Sequence, residues 1–268
     1  MPSFVKLGQV FQPAPGEHLL SWLMRLCDAN GIVLSDFAEQ LVDIKASEFA
    51  SIASRTEHSL VISCLTDTSE DIIREMMHLD LSAEITTFGG QSIPSSALER
   101  SKRRFAPGHL SRDRTPFLRA LWAIRPITCD PTSGERLVDR CPCGHPFWWR
   151  DAHELLNCTA CRADIRSIPS TQGTDNEIEA SRFWASLYSM KASRREEVRD
   201  SLAPVFKNWT AVELVRLIEI ARRVMGASDL TTGILLLKDW PKSVSSLHAP
   251  KRAALMRAVA ELSREAAN

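Results

Sequence analysis

The sequence predicts a mainly α-helical protein with a helix-turn-helix-like N-terminal part and one small β-hairpin near its middle, built round two pairs of cysteines. Three observations carry this expectation. Apolar residues recur at three- and four-residue spacing over much of the chain, the mark of helices with one buried face. Two short helical segments near the N-terminus meet close to Gly31. Cys141-Pro-Cys143-Gly and Cys158-Thr-Ala-Cys161 stand either side of a segment long enough to fold back on itself.

Taken in order, the first helix is expected from Glu17 to about Ala29, with Leu19, Leu20, Leu23, Leu26 and Cys27 inward and Gly31 as its stop. A second begins near Ser35 and buries Phe37, Leu41 and Val42. Asp67 and Glu70 have the spacing of a capping box for a helix reaching Leu79, with Ile72, Ile73, Met76 and Met77 as its apolar stripe. Gly89-Gly90 and Pro94 then break the chain before a short basic helix. Beyond the cysteines, 167–176 is polar and carries Pro169 and Gly173, so it reads as a linker. Helices follow from Asn176 to about Lys191, from Thr210 with Glu213 as a second capping box, and from Pro250 to the end. The expected divisions are a helical region over 1–126, the cysteine unit over 127–168 and a second helical region over 169–268. No period of 20 to 50 residues marks a solenoid.

The cysteine spacing points to one Zn²⁺. Tetrahedral zinc takes four thiolates at about 2.3 Å, and a short knuckle presents two of them on a tight turn. Cys141, Cys143, Cys158 and Cys161 are the predicted ligands, four of the chain's seven cysteines within 21 residues. The first pair is one residue tighter than the usual C-x-x-C, which leaves His145 as an alternative ligand. Four thiolates close the coordination sphere, so the ion is expected to hold structure rather than to activate water. Catalytic zinc patterns fail on spacing. His153-Glu154 is followed by Leu-Leu-Asn, not by the second histidine of H-E-x-x-H, and no H-x-E precedes a P-C-x-x-C. No nucleophile-base pair or phosphate loop appears, and the chain is read as having no enzymatic activity.

Composition bounds the rest. With 268 residues, 44% hydrophobic and 25% charged, the chain reads as an ordinary folded protein. Its longest aliphatic run, Ile234-Leu-Leu-Leu237, is far short of the ~20 residues of a membrane span. The absence of an apolar stretch before Pro13 speaks against a signal peptide, and an odd cysteine count with metal-type spacing suits the reducing cytoplasm. Zero net charge conceals a separation. Residues 66–85 hold six acids against Arg74. Residues 97–126 hold eight basic side chains against Glu99 and Asp113, a net of +6. Arg100, Lys102, Arg103, Arg104, Arg112 and Arg114 are therefore candidate nucleic-acid contacts, with an acidic protein or the 66–85 segment as the competing partner. Trp148 and Trp149 are candidate partner-binding anchors, or core.

Several stretches resemble one family. Pro13-Ala-Pro-Gly-Glu-His-Leu-Leu-Ser-Trp-Leu-Met-Arg-Leu26 is similar to the N-terminal signature of TniQ-family transposition proteins. Arg104-Phe-Ala-Pro-Gly-His-Leu110, Leu121-Trp122, Thr128 to Leu137 and Asp139-Arg-Cys-Pro-Cys-Gly144 follow in the order of the family's paired zinc motifs, and Leu235 to Pro241 is similar to a later Trp-Pro stretch. The chain departs at the first motif. Ala106-Pro-Gly-His109 and Cys129-Asp-Pro-Thr132 keep only His109 and Cys129 as ligand types, so that site is expected to be metal-free, held by packing. The resemblance implies a non-catalytic adaptor that links target recognition, by its own DNA-binding surface or a CRISPR effector complex, to an AAA+ ATPase. It leaves a homodimer open. The competing reading is a stand-alone helix-turn-helix and zinc-ribbon DNA-binding regulator.

Overall fold

A computed structural model describes residues 6–189, 191–226 and 231–266. Its first half is built from α1 (Leu19–Ala29), a short α2 (Leu34–Asp36) that continues as a π-turn over Phe37–Leu41, α3 (Glu57–Thr66) and α4 (Glu70–Met76). The hairpin of β1 (Ile85–Phe88) and β2 (Gln91–Pro94) follows, then α5 (Pro107–Arg112) and a long irregular stretch that contains the cysteines. Helices α6 (Asp175–Leu187), α7 (Ala192–Asp200), α8 (Ala211–Met225), α9 (Thr231–Lys238), α10 (Lys242–Ser245) and α11 (Ala249–Ala266) complete the chain. No described helix is long and apolar enough to cross a membrane.

The mainly helical expectation holds, but the β-structure is elsewhere. Among the described residues the one sheet is β1–β2, antiparallel with Thr86 opposite Ile93 and Phe88 opposite Gln91. Gly89 and Gly90 at its tip have φ of 54° and 75°, the left-handed pair that a tight two-residue hairpin turn requires. They connect two strands rather than breaking a chain. The cysteine unit has no strands of its own; single antiparallel bridges, Arg140 with Pro146 and Asn157 with Asp164, close its two knuckles.

The Pro13-to-Leu26 signature is an internal fastening. Gly16 sits at φ 75°, and Glu17 turns into the protein, where its carboxylate accepts hydrogen bonds from Ala14 N (3.0 Å), Ser21 Oγ (3.1 Å) and Arg25 Nη1 (2.7 Å). Residues 17, 21 and 25 fall on one face by helical geometry. A buried carboxylate is tolerable only when paired and hydrogen-bonded, which this cluster achieves. His18 caps α1 by accepting from Leu20 N through Nδ1, so its ring is neutral, and burial with the neighbouring His78 holds it well below the usual histidine range. The same turn pairs with a downstream segment: His18 N donates to Leu118 O (2.9 Å) and Ala120 N to Gly16 O (2.8 Å).

Other expected boundaries shift for local reasons. Asp67 does not cap a helix; it ends α3 in the left-handed conformation at φ 52°, and α4 begins after Ser69. The helix-turn-helix expectation is not sustained by α2, which is three residues long before the π-turn. Its solvent side carries Asp36 and Glu39, charges that would repel DNA phosphate. In the C-terminal half, the Thr210/Glu213 capping box forms as expected, and Thr174/Glu177 makes a second one at the start of α6.

Two principal hydrophobic clusters run across the expected divisions. One joins Leu19, Trp22, Leu23, Phe37, Ile62 and Ile73 to Phe105, Phe147, Trp149 and Ile165, so α1 and the cysteine unit share a core. The other joins Phe88, Ile93, Ile124 and Ile127 to Trp184, Tyr188, Phe206, Leu214 and Leu237, so the hairpin packs with the C-terminal helices. A file of rings connects them: Trp149 stacks on His18 (4.9 Å between centroids), His18 meets His78 (5.5 Å), His78 stacks on Phe88 (5.5 Å) and Phe88 meets Tyr188 (6.3 Å).

Candidate metal centre

Each cysteine pair is shaped by backbone hydrogen bonds. Cys141 N donates to His145 O and Gly144 N to Cys141 O, both at 2.8 Å, with Gly144 at φ 90° supplying the turn. On the opposite side Cys158 N donates to Ala163 O and Arg162 N to Cys158 O, with Arg162 left-handed at φ 62°. The four Sγ atoms lie within 4.8 Å of one another, Cys141 to Cys161 at 3.6 Å and Cys143 to Cys158 at 3.8 Å. A tetrahedron with bonds of about 2.3 Å has edges of about 3.8 Å, so the sulfurs fit zinc. Cys141 and Cys158 are buried while Cys143 and Cys161 are exposed. Burial pushes the Cys141 thiol up to about 12. Burial also opposes ionising Cys158, but the backbone N–H groups of Cys161 and Ala160 outweigh it and bring that thiol down to about 7. The cluster is made by the four cysteines alone; His145 Nε2 stands 4.0 Å from Asp151 and is not one of its donors.

The segment around His109 and Asp130 is a different construction. His109 Nδ1 and Asp130 Oδ2 are 2.7 Å apart, and Arg119 reaches His109 Nε2 at 2.9 Å. Arg119 also grips Asp113 with both terminal nitrogens (2.6 and 2.7 Å) and lies 4.9 Å from the Trp122 ring centre. Asp130 accepts from Trp122 Nε1 (3.0 Å) and Ser133 N (2.8 Å). Glu135 accepts from the backbone N of Gly108 (2.7 Å) and His109 (2.9 Å) at the start of α5. Cys129 takes no part. Its buried sulfur packs against Gly173, where a Cβ would come within 2.3 Å. The expectation of packing alone is thus corrected: charges and hydrogen bonds hold the segment.

Most of the six basic candidates are committed inside the molecule. Arg103 is buried and donates to Glu154 O (3.1 Å) and Leu155 O (2.9 Å). Burial lowers its guanidinium to about 10, so it is a cation at neutral pH. Arg104 donates to the carbonyls of Ile124 and Ile127. Arg100 pairs with Asp80, in the acidic segment, and Lys102 with Asp139 (2.9 Å). Arg112 and Arg114 are exposed. The two tryptophans also separate. Trp149 is 3% exposed and stacked on His18, so it is core; Trp148 is half-buried with Lys102 and Arg150 each 5.3 Å from its ring.

Residues 9–131 match the sequence profile of the TniQ family. The chain carries a TniQ domain. The TniQ match takes in the Glu17 cluster and ends beside Asp130, so it includes His109 and Arg119 but stops short of the four cysteines. No curated protein matches the chain. Sequence reasoning missed Glu17, Arg119 and Asp130. The i, i+4, i+8 spacing of Glu17, Ser21 and Arg25 was a visible signal; nothing local marks Arg119 or Asp130.

Proposed function

We propose that the chain works in transposition as a non-catalytic adaptor, joining target recognition to an AAA+ ATPase. The TniQ domain over 9–131 is the observation that carries this reading. Four thiolates that fill a tetrahedral sphere support it, because zinc held there keeps no position for a substrate. Target recognition runs either through the chain's own contacts with DNA or through a CRISPR effector complex, and reduced zinc-ligating thiols fit a cytoplasmic site of action. With Arg103 and Arg104 turned inward, Arg112 and Arg114 are the candidates for phosphate contact. With Trp149 in the core, Trp148 is the candidate anchor for a protein partner.

Co-purification with the ATPase of the same element tests the proposal. Trp148→Ala is expected to weaken that complex by about 2 kcal/mol if the indole is an anchor, with an unchanged melting curve. A well-folded wild type that binds neither the ATPase nor a targeting complex overturns the adaptor reading.

A further inference from the structure

We propose that Arg103 is the internal counter-charge of the zinc-thiolate site and the brace that holds its two knuckles together. The inference rests on the zinc reading of the four cysteines. It assigns to the metal centre a residue that the basic run had marked as a DNA contact.

Arg103 is 1% exposed, yet no carboxylate pairs with it at hydrogen-bond distance among the described residues. Its hydrogen bonds go to two neutral carbonyls, its Nε–H has no partner, and one face lies 5.6 Å from the centre of the Phe147 ring. A buried cation with only neutral neighbours is costly, by several kcal/mol, unless an anion lies within reach. The anion here is the metal site. Zn²⁺ with four thiolates would carry a formal charge of −2, and the buried Cys158, three residues beyond the Leu155 carbonyl that Arg103 holds at 2.9 Å, favours the charged guanidinium. Asp151, the other acid that stabilises Arg103, is half-exposed and shared with Arg150. Desolvation makes the two burials interdependent, since the thiolate group and the cation would each be unfavourable alone.

Arg103 N donates to Phe147 O at 2.7 Å, just after the first knuckle, while its side chain holds Glu154 O and Leu155 O, just before the second. One residue therefore fixes the separation of the two ligand pairs without touching the ion. Partners of this kind change metal affinity by roughly 10- to 100-fold. Because Arg103 lies inside 9–131, it also gives the TniQ domain a direct electrostatic dependence on zinc occupancy.

The test measures zinc affinity of the full chain by competition with a chromophoric chelator, beside thermal melts with and without zinc. Arg103→Gln keeps donors for the carbonyls but removes the charge, and is expected to weaken zinc binding at least tenfold and to shrink the zinc-dependent rise in melting temperature. Arg103→Lys, which keeps the charge, should recover part of the affinity. Arg104→Met controls for the loss of a buried arginine and should destabilise the fold without changing zinc affinity. Wild-type affinity in folded Arg103→Gln, or an equal loss in Arg104→Met, overturns the proposal. Should Arg103→Gln fail to fold, affinity in Arg103→Lys decides: a loss beyond that of Arg104→Met supports the brace, and none overturns it. A wild type that holds no zinc by elemental analysis removes the metal reading itself, while leaving the adaptor function untouched.

Discussion

Two polar sites lie close in sequence and hold their segments by opposite means. At Cys141, Cys143, Cys158 and Cys161 the chain gathers soft donors whose spacing suits a crosslink through one ion. At His109, Arg119 and Asp130 the chain crosslinks itself, with the Arg119 guanidinium between the Asp113 carboxylate and the His109 imidazole, whose other nitrogen meets Asp130. The first site concentrates its free energy in a single event, because ligation and local folding are one process. The second divides it among many hydrogen bonds that fail one at a time. A fixed cation with several donors can fasten a segment without dependence on metal supply or redox state.

The largest effect that separates the sites is expected from metal removal. Chelation, or Cys158→Ser, should strip one zinc per chain and cost on the order of 5 kcal/mol, read as a fall of roughly 10 °C or more in melting temperature. Unchanged zinc content and melting behaviour in Cys158→Ser would break the comparison, as would two zincs in the wild type. Arg119→Met comes next. Removing the cation leaves the largely buried Asp113 without its bidentate partner and His109 Nε2 without its contact, and about 3 kcal/mol should be lost in urea unfolding, with zinc still at one per chain. Loss of zinc in that variant would show the two sites to be one unit.

Acid provides the smallest and sharpest separation. Burial first, and then the charge of Arg100, lowers His78 to about 4. An unfolded histidine protonates near 6.5, so between pH 6.5 and 4 the unfolded chain binds more protons than the folded one. Stability is fully present above pH 6.5 and falls as the pH drops, by about 2 kcal/mol at pH 5 from His78 alone. Asp130 does not share this window. Burial works to raise Asp130, but hydrogen bonds from Ser133, Trp122 and His109 prevail and hold it below the ordinary carboxylate range. Its contribution is lost only as the pH falls below about 3.8, through its lowered value. The change in stability between pH 7.5 and 5 should therefore be about 2 kcal/mol smaller in His78→Leu than in the wild type; parallel losses in the two would clear His78.

How much of this was legible depended on how local the cause was. The four ligands could be read because a knuckle is set by a few residues and a tetrahedron accepts few spacings. Helix α1 and the Thr210/Glu213 cap could be read because both are fixed within one or two turns. The hairpin is legible too, in Ile85-Thr-Thr-Phe, Gly89-Gly90 and Gln91-Ser-Ile-Pro, but a glycine pair reads equally as a break, and only the pairing of its flanks decides. Asp67 was misjudged because its spacing to Glu70 suits a cap, while the end of α3 claims the residue for a left-handed turn.

The sequence alone located the four-cysteine cluster, the helical class and the TniQ resemblance, because cysteine spacing, periodicity and motif order are properties of short segments. Tertiary structure alone decided the fate of the arginines. The carbonyls that receive Arg103 lie 51 and 52 residues along the chain, and Asp80, the partner of Arg100, lies 20 residues back. A guanidinium looks the same in sequence whether it meets phosphate, a carboxylate or a buried carbonyl. What distinguishes these cases is which distant atoms displace its water, and only the folded chain brings those atoms into place.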